Sequence, residues 1–364
     1  MKHEGDLVLM PRYELNQNIK LADHIIGKDH PVYIIAEMSA NHLQDYDRAV
    51  EIIHAAKEAG VDAIKLQTYT ADTITIDSDK EYFQITGGTI WDGTTLHKLY
   101  EEAYTPWDWQ PKLCEVAAGL GLDCFSSPFD DSAVSFMEEM NMPAYKIASY
   151  EITDIPLIRN CASKKKPVIL ATGVARESDI RLAIEACLDE GNKDIILLKC
   201  VSAYPTPYED VNLNTIPTLA EEYGCVMGLS DHTFGSAVPV AAVALGARMI
   251  EKHLTLKRSD GGPDGAFSME PKEFEELVKN VRIVEKALGS KEYKLTPVQE
   301  TEREGARSLF VVEDIKKGEV LNPSNIRSIR PGNGLPPVEY DKVIGKVATR
   351  DLFRGDPLKY DDFQ

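Results

Sequence analysis

Ala63–Gln67 reads AIKLQ, a short apolar run that closes in K-x-Q and leads into Thr68 and Tyr69. A run of this length is too short for a helix and suits a buried strand whose last side chains emerge from the core. The same design recurs along the chain. Val32–Ala36, Asp123–Ser126, Ala144–Ala148, Val168–Ala171, Ile195–Lys199, Val226–Leu229 and Met249–His253 are further strand candidates. Stretches of helical periodicity separate them, among them Tyr46–Ala59, Pro111–Gly119, Ser132–Met140, Asp179–Glu190 and Pro271–Leu288. Eight strand–helix units in about 260 residues predict a (β/α)8 TIM barrel. A doubly wound sheet is the alternative, but it needs fewer strands, and no Gly-rich dinucleotide loop is present.

The ends of these runs carry the chemistry. They close in E-x-S-x-N-H at Glu37–His42, K-x-Q at Lys65–Gln67, S-S-P at Ser126–Pro128 and K-x-x-S at Lys146–Ser149. A-T-G follows at Ala171–Gly173, then K-x-x-x-x-Y at Lys199–Tyr204, S-D-H at Ser230–His232 and E-K-H at Glu251–His253. In a barrel all of these face one rim, where active sites lie.

The pattern changes after Leu288. Residues 31–290 read as the barrel, 291–307 as a polar linker, and 308–364 as a small mixed domain rich in turns, such as Lys317-Gly318 and Arg354-Gly355. A domain of that size is marginal alone. Residues 1–30 read as an N-terminal extension with a short hairpin.

Composition narrows the classes of partner. The chain has 364 residues, 43% hydrophobic, with a formal net charge of −19. That charge argues against nucleic acid and anionic membranes. An anionic substrate would need local cations or a metal. Six scattered cysteines without a C-x-x-C pair suit reduced, buried thiols. The most apolar stretch, Val238–Ile250, is short and interrupted by Pro239 and Gly246, and the opening MKHEGDLVLM lacks the long apolar run expected of a signal peptide. A cytoplasmic location is expected.

His232 and His253 fall at the ends of adjacent strands, the seventh and eighth. Paired imidazoles can hold a divalent metal and leave positions open for water and substrate; they can equally be hydrogen-bonded structural histidines. Glu251 and Glu37 could add oxygen ligands or hold a metal-bound water. Lys65 and Lys146 end the second and fourth strands, with Ser127, Ser149 and Ser230 on neighbouring strands. Lysines with hydroxyls form an anion cradle without a P-loop, although the lysines could instead pair with Glu37 or Asp231. A Schiff-base lysine is a further reading. Asp264, in the GGPDGAFS loop, could bind sugar hydroxyls or merely shape a turn. Arg330, in the turn before Pro331, has no special standing by composition.

With these residues in place the chain resembles a known family. YIIAEMSANH, AIKLQTY, YKIAS, YPTP, GLSDHT, EKHLT, GGPD and RPGNGL, in that order, are similar to the sialic acid synthases. The resemblance runs from about Val32 to Phe363. It implies a TIM barrel followed by a small antifreeze-like (SAF) domain. Three stretches, TITIDSDKEYFQI, GTIWDGTTLHKLYEEAYTPWDWQ and CFSSPFDDSAVSFMEE, resemble the pseudaminic acid branch. Tyr82, Phe83, Trp91, Trp107 and Trp109 in this region could line a pocket for a less polar sugar or simply pack an insertion.

The resemblance implies a metal-dependent condensation of phosphoenolpyruvate (PEP) with a 2,4-diacetamido-2,4,6-trideoxy hexose, releasing phosphate. Legionaminic or N-acetylneuraminic acid synthesis are the sister readings; a sugar-acid aldolase and a non-catalytic carbohydrate binder are remote ones. His232 and His253 match the metal ligands, for Mn²⁺ with Mg²⁺ or Co²⁺ as alternatives, and Glu251 a ligand acting through water. Lys65, Ser127, Lys146, Ser149 and Ser230 match PEP-binding positions. Glu37, Gln67, Tyr204 and Asp264 match sugar-binding or catalytic ones. Arg330 matches an SAF arginine that enters the partner's site in a domain-swapped homodimer. The product is expected in a surface glycan or on flagellin. One departure stands out: Ala171 replaces the serine of S-T-G, which leaves Thr172 or a backbone N–H to compensate.

Overall fold

The computed structural model describes residues 11–364, so the first ten residues of the expected extension lie outside the described residues. The chain divides into two compact units, one ending at Gly289 and one spanning Ser290–Gln364.

Eight parallel strands close into a barrel in the first unit. They are Tyr33–Glu37, Ala63–Thr68, Asp123–Pro128, Tyr145–Ile147, Val168–Ala171, Ile195–Lys199, Val226–Asp231 and Met249–His253. Each follows its neighbour in sequence order, and the eighth pairs with the first. Closure satisfies every edge and rules out the doubly wound alternative.

The two-residue period of the strands separates two environments. Ile34, Ile64, Leu66, Val168, Leu170 and Leu197 point outward and pack under the helices. Tyr33, Ile35, Phe125, Ile169, Ile196 and Met249 point inward and fill the barrel. Gly228 belongs to this inner packing, because a Cβ there would lie 2.5 Å from both a Leu198 methyl and the Met249 carbonyl. Helix Tyr46–Ala59 illustrates the outer layer. Asp45 caps its first turn by accepting from Asp47 N and Arg48 N, and Gly60 ends it at φ 83°. Its Ala49, Ile52, Ile53 and Ala56 form the stripe that meets the barrel, each isoleucine contributing roughly 1.5–3 kcal/mol of burial.

An antiparallel hairpin, Asn18–Leu21 with His24–Gly27, precedes the barrel. Its Ile19, Leu21 and Ile26 join the inner cluster. They plug the end of the barrel opposite the strand C-termini, so the interior opens at one rim only.

The second unit has its own core of Leu309, Val311, Ile315, Leu321, Ile326 and Leu352 around the antiparallel pair Ser308–Val311 and Ile326–Ile329. The stretch expected as a linker contains a helix, Pro297–Glu302, started by a capping box between Thr296 and Gln299. Among the described residues no helix is long and apolar enough to cross a membrane.

Candidate active site

The barrel register brings the polar strand ends together. Glu37 pairs with Lys65 on one side and His253 on the other, Gln67 with Ser127, and Glu251 with Ser230. Paired residues of a parallel sheet share a face, so these side chains all rise from the inner face into one cavity of about 470 Å³. Glu37, Lys65, Gln67, Ser127, Lys146, Ser149, Tyr204, Ser230, His232, Glu251, His253 and Asp264 all line it.

The floor is ionic and buried. Lys65 is 2% exposed, Lys146 4%, Glu37 1% and Glu251 3%. Lys65 is ion-paired with Glu37, donates to Ser127 Oγ at 3.2 Å and lies 3.8 Å from Glu251 Oε1. Lys146 Nζ donates to the same Glu251 oxygen at 2.9 Å, and Ser230 Oγ at 3.1 Å. Burial acts to raise the Glu251 pKa, but the lysines overcome it and hold that carboxyl down at about 2. Glu37 comes out the other way: burial outweighs Lys65, and its pKa is raised. Burial disfavours the Lys146 ammonium, yet Glu251 more than compensates and its pKa is raised. A Schiff-base nucleophile needs the reverse shift, so Lys146 suits charge binding better than imine chemistry.

The two imidazole rings lie side by side, centroids 5.3 Å apart. His232 Nδ1 donates to the Val201 carbonyl at 3.0 Å, which leaves its Nε2 as the lone-pair nitrogen. His253 is kept neutral by burial first and by His232 and three lysines second. Its buried Nδ1 has no partner. Burial disfavours the His232 imidazolium, but Cys200 beside it outweighs burial and the pKa is raised; once both rings are neutral, His232 Nε2 and His253 Nδ1 suit a divalent ion. No group of three or more His, Cys, Asp or Glu among the described residues is arranged as a metal cage. A metal ion there would be held by the two imidazole nitrogens, with water and substrate completing its coordination.

One candidate of the barrel unit stands apart from the cavity. Thr172 does not line it, because its hydroxyl donates to the Leu198 carbonyl at 3.1 Å. The backbone replaces it in part: Gly173 N–H donates to Ser149 Oγ at 3.0 Å. A side chain on Gly173 would collide with the Ser149 and Ser202 hydroxyls, so glycine is needed for this support. Arg330 sits exposed in the second unit. Of the five aromatic residues singled out, Trp91 alone lines the cavity. Tyr82 is 81% exposed, Trp107 stacks on Phe136, and Trp109 packs on His42 and Tyr46.

The cavity also contains residues the sequence did not single out. Ser39 has φ 45°, in the left-handed region. Its N–H donates to Glu37 Oε1 at 2.9 Å, its hydroxyl donates to Asp264, and it accepts from Gln67 at 3.0 Å. Glu151 has a buried oxygen without a partner, and burial pushes its pKa up to about 7. Its position two residues beyond Ser149 was the available signal. Cys200, expected as a core thiol, borders the cavity with its Sγ 4.0 Å from His232 Nδ1. A wall of apolar residues from the long segment after the second strand completes the enclosure.

Comparison with known proteins gives a consistent set of matches. A family model described as the NeuB family matches residues 52–293, and an SAF domain model matches residues 306–364. The pseudaminic acid synthase of Campylobacter jejuni is 47% identical over 336 residues, 92% of this chain and 98% of that protein. The N,N'-diacetyllegionaminic acid synthase of Legionella pneumophila is 35% identical over 346 residues, 93% of this chain and 96% of that protein. Among solved structures, the N-acetylneuraminic acid synthetase of Leptospira borgpetersenii, in complex with citrate, superposes with a TM-score of 0.70 at 33% identity. It covers 80% of this chain and 96% of its own.

Proposed function

The chain belongs to the NeuB family, and on that premise we propose that it condenses PEP with 2,4-diacetamido-2,4,6-trideoxy-altrose and water, giving pseudaminic acid and phosphate. The resemblance read from the motifs holds over nearly the whole chain, and identity is higher to the pseudaminic synthase than to the legionaminic one. The observation that carries the reading is the cavity: buried lysines and an imidazole pair at one rim, beneath an apolar wall. Its volume lies within the roughly 300–1,000 Å³ usual for small-molecule sites.

Lys65 and Lys146 would take the carboxylate and phosphate of PEP, with Ser127, Ser149 and Ser230 donating to the same oxygens. The two lysines are already offset by Glu37 and Glu251, so a multiply charged anion needs further positive charge. His232 and His253 would hold a divalent ion, Mn²⁺ in this reading. When bound, that ion supplies Lewis-acid polarisation of the sugar aldehyde oxygen.

PEP C3 attacks the aldehyde carbon, forming the new C–C bond, and the aldehyde oxygen takes up a proton. Positive charge develops at C2 of the former PEP, where water adds. Glu37, whose raised pKa makes it a competent proton acceptor, receives the proton from that water. The tetrahedral intermediate then expels phosphate with cleavage of its C2–O bond. Glu151, near neutrality, is a second carboxyl able to move a proton through Oε2. Asp264, Gln67 and Tyr204 orient the sugar.

The reading extends to a cytoplasmic homodimer in which Arg330 of one copy adds the missing cation to the other. The six free thiols support the reducing compartment.

The test is phosphate release and product mass from metal-stripped protein given PEP, Mn²⁺ and, separately, the altrose sugar, its mannose-configured counterpart and N-acetylmannosamine. Release with the altrose sugar, dependent on metal, is expected. Turnover confined to another sugar would overturn the branch, and metal-independent turnover would overturn the role of the two histidines.

A further inference from the structure

We propose that the apolar face of helix Leu96–Ala103, together with Ile74 and Ile85, is the subsite that selects the deoxygenated end of the acceptor sugar. It would hold the C6 methyl and the methyl of the C4 acetamido group. The inference rests on the proposed reaction and assigns the acceptor specificity to residues outside the barrel strands.

Leu96, Leu99, Tyr100 and Ala103 stand at i, i+3, i+4 and i+7, one stripe of a helix, and all four line the cavity. A stripe of that kind ordinarily packs into a core. This one does not: all four residues, and Ile74 and Ile85 beside them, are half-buried, and none joins the hydrophobic clusters of the barrel. The opposite face is polar, with exposed Lys98, Glu101 and Glu102. The helix therefore turns its apolar side to a space that the protein leaves unfilled.

The same space has an ionic floor. A ligand that spans both must be charged or oxygen-rich at its reacting end and apolar at the other. PEP and an aldehyde satisfy the floor. A 6-deoxy sugar carrying a second acetamido group satisfies the wall, because it replaces two hydroxyl-bearing positions with methyl-bearing ones.

The wall is held in place before any ligand arrives. Thr95 caps the helix by accepting from Lys98 N–H at 3.3 Å. Ile85 is fixed in a tight loop, its N–H donating to Thr94 O at 2.9 Å and its carbonyl accepting from Gly93 N–H at 3.0 Å. Trp91 Nε1–H donates to the Pro263 carbonyl at 2.7 Å and ties this loop to the one that holds Asp264. Its ring lies 5.5 Å from that of Tyr204, which lies 4.3 Å from His232. Two polar groups near the wall are committed elsewhere, the Trp91 N–H to Pro263 and the Thr89 hydroxyl to Asp92 at 2.8 Å, which leaves the Tyr100 hydroxyl as a polar atom of the wall itself. A C6 hydroxyl placed here would lose water and find few partners.

The magnitude follows from how apolar pockets discriminate. A hydrophobic pocket disfavours an analogue that adds a hydroxyl by at most about 10²-fold. The experiment compares wild type, Leu99→Gln and the near-isosteric Leu99→Met on two acceptors, the 6-deoxy altrose sugar and its 6-hydroxy analogue, with KM for PEP measured in parallel. The wild type should favour the 6-deoxy sugar by about 10–100-fold in kcat/KM. Leu99→Gln should raise KM for that sugar about tenfold and narrow the preference to a few-fold, with KM for PEP unchanged, whereas Leu99→Met should keep the preference. If Leu99→Gln is not recovered folded, Leu99→Ala makes the same test with a smaller expected change. A wild type that uses the altrose sugar, with folded Leu99 variants that keep both its KM and the preference, overturns the subsite alone. With N-acetylmannosamine run as a third acceptor, a wild type that prefers it overturns the proposed reaction and the subsite with it.

Discussion

The floor of the cavity and its apolar wall enclose one space but are built by opposite means. The floor is made of strand ends, and its charged members are at most 4% exposed, each tied to a fixed partner. The wall is made of one short helix and a loop inserted between the second strand and the helix that covers it. Its residues are half-buried and touch the cavity more than the core. Groups whose charges must stay aligned are placed on the stiffest part of the fold. Groups that only distinguish one acceptor from another are placed on a connection that can vary without disturbing the barrel. On this view the floor should be intolerant, losing chemistry and stability together, and the wall should be tolerant, losing selection alone.

The sharpest way to break the comparison is at the imidazoles. His253→Ala should lower turnover by about 10³-fold or more while the barrel stays folded. Phosphate release and Mn²⁺ titration by calorimetry would check it, and near-normal activity would remove the metal from the floor. Next comes the ionic pair. Glu251→Ala leaves Lys146 buried without its 2.9 Å partner and should cost about 3–5 kcal/mol in urea unfolding. The half-buried Leu99→Ala should cost about 1 kcal/mol by the same measurement. Similar losses at both positions would erase the proposed difference.

A subtler effect is expected where the two halves meet. Trp91→Phe keeps an aromatic ring, though a smaller one, and removes the donor to Pro263; it should raise KM for the sugar by about 3–10-fold without moving KM for PEP. A change in KM for PEP would show that the loop serves the floor as well.

The smallest effect concerns Glu151. Burial raises its pKa to about 7, so the folded chain keeps a proton that the unfolded chain sheds near pH ~4.3. The folded state then binds more protons between those limits, and stability falls as pH rises through that window. Its cost is absent at lower pH and complete above about 7. Glu151→Gln removes it, so the variant should gain about 1–2 kcal/mol over wild type at pH 8 and nothing at pH 4, allowing for partial exposure. Parallel thermal-unfolding curves against pH would decide it, and a constant offset between the two chains would contradict the burial of that carboxyl.

Much of this was legible along the chain, and the reason is local. A strand announces itself by length and by its two-residue alternation, so AIKLQ and its seven counterparts could be placed within a residue or two. Once they close into a barrel, the inward phase of each strand is shared with its neighbours. Glu37, Lys65, Gln67, Lys146, Glu251 and His253 therefore had to meet at one rim. Thr172 shows the limit of such reasoning. Its position at a strand end was read correctly, but a hydroxyl can turn either way, and here it turns to the Leu198 carbonyl. Ser39 carried no signal for its left-handed backbone, because a positive φ in a serine is imposed by surrounding contacts rather than by the residue itself.

The sequence by itself determined the barrel, its polar rim, and the two histidines and two lysines that stand there. Periodicity and phase are properties of consecutive residues, and closure of the barrel leaves them no choice of neighbour. Only the tertiary structure decided what the loop helix faces. The pattern at Leu96, Leu99, Tyr100 and Ala103 says that one side of the helix is apolar. It does not say whether that side meets the core or an open cavity, since the answer depends on distant residues that fix the angle of the segment, among them the Pro263 carbonyl that receives Trp91.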